Sequence, residues 1–163
     1  MRSKKKMDYA EKLKEKKWMI IDIEYIQTSK THKCVRKLYM LSKNGSKELE
    51  LDFYPCVRYK DLTSKYKNAF QYCKKYIHGL SYNPRLYSPL CHNVLAEISD
   101  FIMQNEIELA LYKGGTIENS LCTELCIPSM NIEIIPQLQK ANSHDPKFEV
   151  NYYYAQIVGY SYL

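Results

Sequence analysis

The segment at residues 18–26, WMIIDIEYI, constrains the fold more than any other part of the chain. Its run of large and β-branched apolar residues is what a strand buried on both faces requires. It nevertheless carries two acids, Asp22 and Glu24. Side chains two apart on a strand share a face, so both carboxylates leave the most apolar element on the same side. Two like charges there are costly unless a cation or another partner neutralises them, or unless the strand lies at an edge with that face in water. In the first case the pair is suited to a hard divalent ion such as Mg2+, which takes oxygen ligands.

The rest of the chain supplies neighbours for this strand. Residues 34–41 (CVRKLYML) read as a second strand, Asn44-Gly45 as a hairpin turn, and residues 48–53 (ELELDF) as a third strand with one wet face. Three strands with short joints make an antiparallel meander. From Asp61 the apolar period turns helical through Leu62, Tyr66, Phe70, Cys73 and Ile77, with Asp61 as cap and Gly79 as stop. A loop around Asn83-Pro84 precedes a second helix over residues 88–105, capped by Ser88. A short strand follows at residues 108–112 (ELALY). Gly114-Gly115 breaks it, and Thr116 caps a helix over residues 117–125. Residues 131–135 (NIEII) read as a fifth strand, and Pro146 opens a last helix running to about Val158. A meander followed by βα units predicts an α/β domain: a mixed sheet of five strands flanked by helices.

Charge divides the chain differently. Residues 1–17 hold eight Lys/Arg and three acids, a net of +5, which leaves +1 of the total +6 for the remainder. This predicts a basic N-terminal arm (residues 1–17) ahead of one domain (residues 18–163). Such an arm suits a phosphate backbone or a nuclear address, and equally a solvated tail. Sixteen tyrosines offer rings that pack with a polar handle or stack on bases. No stretch is apolar for long enough to span a bilayer, and the charged start has no apolar run behind it. The expected location is therefore cytoplasmic or nuclear rather than secreted. Cys34, Cys56, Cys73, Cys91, Cys122 and Cys126 then read as scattered reduced thiols without a CxxC pair.

Further groups join Asp22 and Glu24 as candidates for chemistry. Glu118 stands just after the Gly-Gly turn, near a helix start, where acids are common for dipole reasons and where a third carboxylate can reach the first strand. His144 and Glu149 are spaced H-x-x-x-x-E across the start of the last helix. A histidine there can take a proton from a metal-bound water, and a carboxylate one turn on can bind the same metal. Asp145 competes with Glu149 for that role. Taken singly, each reads equally as a surface residue.

Together these motifs resemble those of DEDDh-type 3′–5′ exonucleases, which have a ribonuclease H-like fold. The resemblance implies four acids holding two divalent ions, Mg2+ or Mn2+, and a histidine acting as general base. Asp22 and Glu24 match the first motif, Glu118 in YKGGTIENSL the second, and His144 with Glu149 in HDPKFEVNYYYAQ the third. Glu118 and Glu149 stand where that family has Asp, and near-ideal Mg2+ geometry tolerates the extra methylene poorly. Over residues 18–158 the chain also resembles a group of uncharacterised arthropod and arthropod-virus proteins and, more distantly, the Maelstrom domain, a ribonuclease H-like module mostly lacking catalytic acids. The implied function is a nuclease on RNA or single-stranded DNA. The alternative is a catalytically weak or inactive module that binds RNA or a protein partner.

Two other chemistries are disfavoured. Cys91, His92, Cys122 and Cys126 are a poor zinc set, because adjacent ligands on a helix diverge. Gly114-Gly115 lacks the spacing of a nucleotide-binding loop.

Overall fold

The computed structural model describes residues 2–83 and 94–160. A helix, α1 (Arg2–Glu15), leads into β1 (Trp18–Gln27), β2 (Lys33–Ser42) and β3 (Glu48–Asp52). Helix α2 (Ser64–Cys73) continues through one π-helical turn, Lys74–His78, to Gly79, whose φ of 68° ends it in the left-handed region. Then come α3 (Val94–Gln104), β4 (Leu109–Tyr112), α4 (Thr116–Glu124), β5 (Ser129–Asn131) and α5 (Pro146–Val158). The strands form one mixed sheet in the order β3-β2-β1-β4-β5. The meander pairs are antiparallel, whereas β1–β4 and β4–β5 are parallel. β1 is thus central, which explains its nearly continuous apolar sequence.

Strand alternation sorts β1 between two cores. Trp18 and Ile20 face α1 and α5, packing with Leu13, Val150, Tyr153 and Ile157. Met19, Ile21 and Ile23 face the other way, with Ile98 of α3 and Cys122 of α4. Asp22 and Glu24 continue the Trp18–Ile20 row toward the C-terminal end of β1. A register shift falls between Glu24 and Tyr25 in the pairing with β2, just beyond the second acid.

Local chemistry moved several boundaries. Asp61 does not cap α2. It sits in a 3-10 turn and pairs with Arg58 Nε at 3.0 Å, while Thr63 occupies the position before the helix. The fifth strand is shorter and earlier than its apolar pattern suggests. The Asn131 side chain accepts the Glu133 backbone N–H at 3.0 Å and folds Ile132–Ile134 into a 3-10 turn. Gly115, not Thr116, precedes α4 as its cap residue. Ser88, proposed as a cap, and the Cys91-His92 pair lie outside the described residues.

The basic N-terminal segment differs in charge from the rest of the chain but not in packing. Leu13 is fully buried and Tyr9 nearly so, both within the α5-side core. The Trp18 indole Nε1 donates to the Leu13 carbonyl at 2.9 Å, which ties the end of α1 to the start of β1. No helix among the described residues is long and apolar enough to cross a membrane.

Candidate active site

Where β1 meets the starts of α4 and α5, a cleft of about 490 Å³ gathers Asp22, Glu24, Glu118, His144 and Glu149 on its walls. Each element has a reason to deliver its acid there. β1 places Asp22 and Glu24 two apart on the α5 side. The Gly114-Gly115 turn aims the first turn of α4, with Glu118, back at β1. At Gly114 φ is +81°, a backbone conformation side chains rarely adopt. At Gly115 a β-carbon would lie 2.5 Å from Glu118 Oε2, so any other residue there would displace that carboxylate. Asp145 caps α5 by accepting the Phe148 backbone N–H at 3.2 Å, and Pro146 fixes the first turn. Glu149, in that first turn, then faces the sheet.

Glu118 is 3 % exposed and Glu149 9 %. The Glu118 Oε1 accepts the backbone N–H of Ile23 at 3.1 Å. The charges of Glu149, Glu118 and Glu24 all act on Asp22. Among the described residues, no donor reaches the buried Asp22 Oδ2 or Glu118 Oε2. Burial, then Glu149, pushes the Asp22 carboxyl well above the ordinary aspartate range. Burial, then the charges of Glu149 and Glu118, raises Glu24 to about 8. Burial also raises Glu118. Acids held together without a counter-charge behave in this way.

His144 stands at the mouth, with its Nδ1 3.9 Å from Glu149 Oε1. Its backbone N–H donates to the Ile77 carbonyl at 3.2 Å, which anchors the loop to the end of α2. Asp145, the other acid weighed for the last motif, is engaged elsewhere: besides capping α5 it pairs with Lys37 at 3.2 Å. It does not line the cleft, whereas Glu149 does.

The structure adds groups that the sequence did not mark. His78 lines the cleft from the π-helical turn, buried, and its Nδ1 accepts the Leu80 N–H at 2.8 Å. That bond leaves Nε2 to carry the proton of the neutral ring. Burial, then Arg36, lowers its pKa. Lys113 and Lys140 also line the cleft. No single motif announced these three. They come together only because the π-helical turn and the β4–α4 and pre-α5 segments end at the same side of the sheet.

Were a divalent cation to bind in this cleft, Asp22, Glu24, Glu118 and Glu149 would be the carboxylates to hold it, while Glu133, which also lines the cleft, lies 3.7 Å from Lys113. The donor set is all oxygen, and two of its oxygens are buried without a donor, which suits a hard ion. No three of these acids bring ligand oxygens within 4.8 Å of one another. The set that does so among the described residues is His32, Cys34 and Cys56, on a different cleft. Cys34 and Cys56 are therefore not scattered thiols, since their sulfurs sit within bonding distance of each other. Cys122 is buried in the α3/α4-side core, as a small packing residue.

No protein-family model matches the chain, and no curated protein sequence matches it.

Proposed function

We propose that this chain is a divalent-metal-dependent nuclease with a ribonuclease H-like fold, acting as a 3′–5′ exonuclease on RNA or single-stranded DNA. The observation that carries this reading is the convergence of Asp22, Glu24, Glu118 and Glu149 on one cleft at the end of the central strand, with Asp22 Oδ2 and Glu118 Oε2 buried and lacking a donor. The strand order, an antiparallel meander extended by two parallel strands, is compatible with that fold.

Asp22, Glu24, Glu118 and Glu149 would hold Mg2+ or Mn2+ in this cleft, and four carboxylates are enough donors to share between two such ions. Bound there, such ions supply a water of lowered pKa and charge stabilisation of the leaving oxygen. The chain's own residues do the rest. His144 stands with its Nδ1 3.9 Å from Glu149 Oε1, and its ring would accept the proton of the attacking water. Lys113 and Lys140 offset phosphate charge at a wall that is otherwise acidic. The buried carboxylates would repel a phosphodiester unless cations intervened, so substrate binding in the cleft and metal binding are coupled.

A second reading is a module that binds nucleic acid without cutting it. One surface favours binding in either case: residues 64–78 carry four lysines and no acid, with Tyr72 and Tyr76 exposed by 60 % and 63 %. Their rings lie 4.9 Å apart. The same helix contributes Phe70, Ile77 and His78 to the cleft. The discriminating experiment is degradation of end-labelled single-stranded RNA and DNA with Mg2+ or Mn2+, comparing wild type, Asp22→Asn and His144→Ala. Stepwise shortening by the wild type alone is expected. Retained binding without shortening by any of the three would leave the binding module.

A further inference from the structure

A second cleft, also of about 490 Å³, shares Ile23 and Ile117 with the first but contains none of its carboxylates. On its rim the β1–β2 turn meets the segment following β3. The turn delivers His32, the start of β2 delivers Cys34, and the segment after β3 delivers Cys56. These are two borderline-to-soft ligand types from stretches 22 residues apart, and their donor atoms all lie within 4.8 Å of one another. Donors around one tetrahedral Zn2+, at bond lengths of 2.0–2.3 Å, stand roughly 3.5 Å apart, so the two sulfurs, bonded to each other here, must separate before both can ligate one ion.

We propose that His32, Cys34 and Cys56 form a zinc site, with water in the fourth position. The thiol pair has two exclusive states. One is the disulfide, the state this structure shows. The other is a dithiolate around an ion, formed when a small-molecule thiol supplies two electrons to the S–S bond, is itself oxidised to its disulfide, and each freed cysteine thiol loses its proton to solvent on binding the ion. The surroundings suit the ion as well. A disulfide has no use for a third donor, yet the His32 Nε2 stands 3.0 Å from Cys56 Sγ. The Cys56 backbone N–H points at Cys34 Sγ from 3.4 Å, and Thr28 Oγ1 lies 3.9 Å from the same sulfur. Donors aimed at a ligating sulfur stabilise its thiolate charge and fix its orientation. The turn is itself braced, since the Thr28 and Ser29 backbone N–H groups both donate to the His32 carbonyl. Cys34 is buried while His32 and Cys56 are exposed, so an ion reaches the site from solvent and binds with one anchored and two adjustable ligands. Coordination would tie the tip of the β1–β2 hairpin to the segment after β3, where no strand pairing does so.

The test uses the full chain, reduced and then freed of reductant, titrated with Co2+ and with Zn2+. The expected result is a thiolate-to-cobalt charge-transfer band at one equivalent, bleached by Zn2+, with zinc protecting Cys34 and Cys56 from alkylation. Cys56→Ser should abolish the band, and His32→Ala should weaken affinity by at least tenfold. Asp22→Asn should leave it unchanged, which separates this site from the carboxylates. Absence of the band in reduced, folded wild type would overturn the proposal. So would a band or alkylation protection that survives in Cys56→Ser, or a Cys34–Cys56 disulfide that persists in the reduced preparation.

Discussion

The carboxylate of Glu118 receives the backbone N–H of Ile23 at 3.1 Å, the amide that lies between Asp22 and Glu24 on β1. One hydrogen bond therefore holds the first turn of α4 against the strand bearing the other two acids. The other oxygen, Glu118 Oε2, is buried without a donor among the described residues, as is Asp22 Oδ2. Glu118 is thus held by a backbone donor, and it cannot swing away from β1 without losing that bond.

That rigidity makes the metal-free protein sensitive to pH. Acids whose folded pKa is raised take up protons on folding. Their cost to stability is absent below their unfolded pKa near 4, grows as pH rises, and for Glu24 is complete above about 8. In buffer without Mg2+ or Mn2+, wild type should lose on the order of a few kcal/mol relative to Glu24→Gln between pH 5 and pH 8.5. Thermal unfolding of both proteins at the two pH values reads this directly. Parallel pH curves for the two would show that the acids are not held in apposition.

Divalent cations should reverse the penalty. At pH 8, millimolar Mg2+ or Mn2+ is expected to raise the Tm of wild type and to leave that of Asp22→Asn almost unmoved. Without metal the order inverts, because the amide removes a buried charge and Asp22→Asn becomes the more stable protein. A metal-induced rise of equal size in both proteins would place the ion elsewhere.

Much of this arrangement was legible in the sequence. Asp22 and Glu24 stood out because a period-2 pattern puts two charges on one face of an apolar strand, and the meander followed from short strands with an Asn-Gly turn. Glu118 and Glu149 were legible as helix-start acids, but their burial was not, since burial depends on which way the Gly-Gly turn and the Asp145 cap aim each helix. His78, Lys113 and Lys140 carried no local signal. The pairing of His32 and Cys34 with Cys56 was invisible for a similar reason: H-x-C on a hairpin is not a metal spacing, and the register that brings Cys56 to it is tertiary. The docking of α1 was hidden by composition, because eleven charged residues in residues 1–17 mask the two apolar ones that pack.

Gly115→Ala tests the aim of α4. The added carbon would meet Glu118 Oε2 at 2.5 Å, so the carboxylate must move. The variant should bind Mn2+ about tenfold more weakly and lose about 1–3 kcal/mol of stability, as overpacking does. Gly79→Ala is the control. Its β-carbon meets nothing within 4 Å, so it should cost only the left-handed backbone strain of about 1–2 kcal/mol and leave Mn2+ affinity unchanged. Isothermal titration separates the two.

Leu13→Ala tests whether the N-terminal helix belongs to the folded body. Leu13 is fully buried, and its removal should cost about 2–5 kcal/mol, visible as a large fall in the denaturant midpoint. A solvated arm would give a change within about 0.5 kcal/mol.

Tyr72 and Tyr76 address how a substrate reaches the cleft. Both rings are exposed and adjacent on a helix that also carries four lysines, with Lys75 over the Tyr76 ring at 5.1 Å. Stacking on an aromatic side chain is worth about 1–3 kcal/mol per base, so replacing both with Ala should weaken binding of a single-stranded oligonucleotide by roughly tenfold or more. Stability should hardly change, because neither ring is part of a core. Substituting Lys74 and Lys75 by Gln should instead reduce the slope of log affinity against log salt, by about 0.7 for each phosphate no longer neutralised. Fluorescence anisotropy across a salt series reads both effects on the same oligonucleotide. If the tyrosine pair leaves affinity untouched while the lysines lower it, the helix contributes charge alone, and base stacking must be sought at another surface.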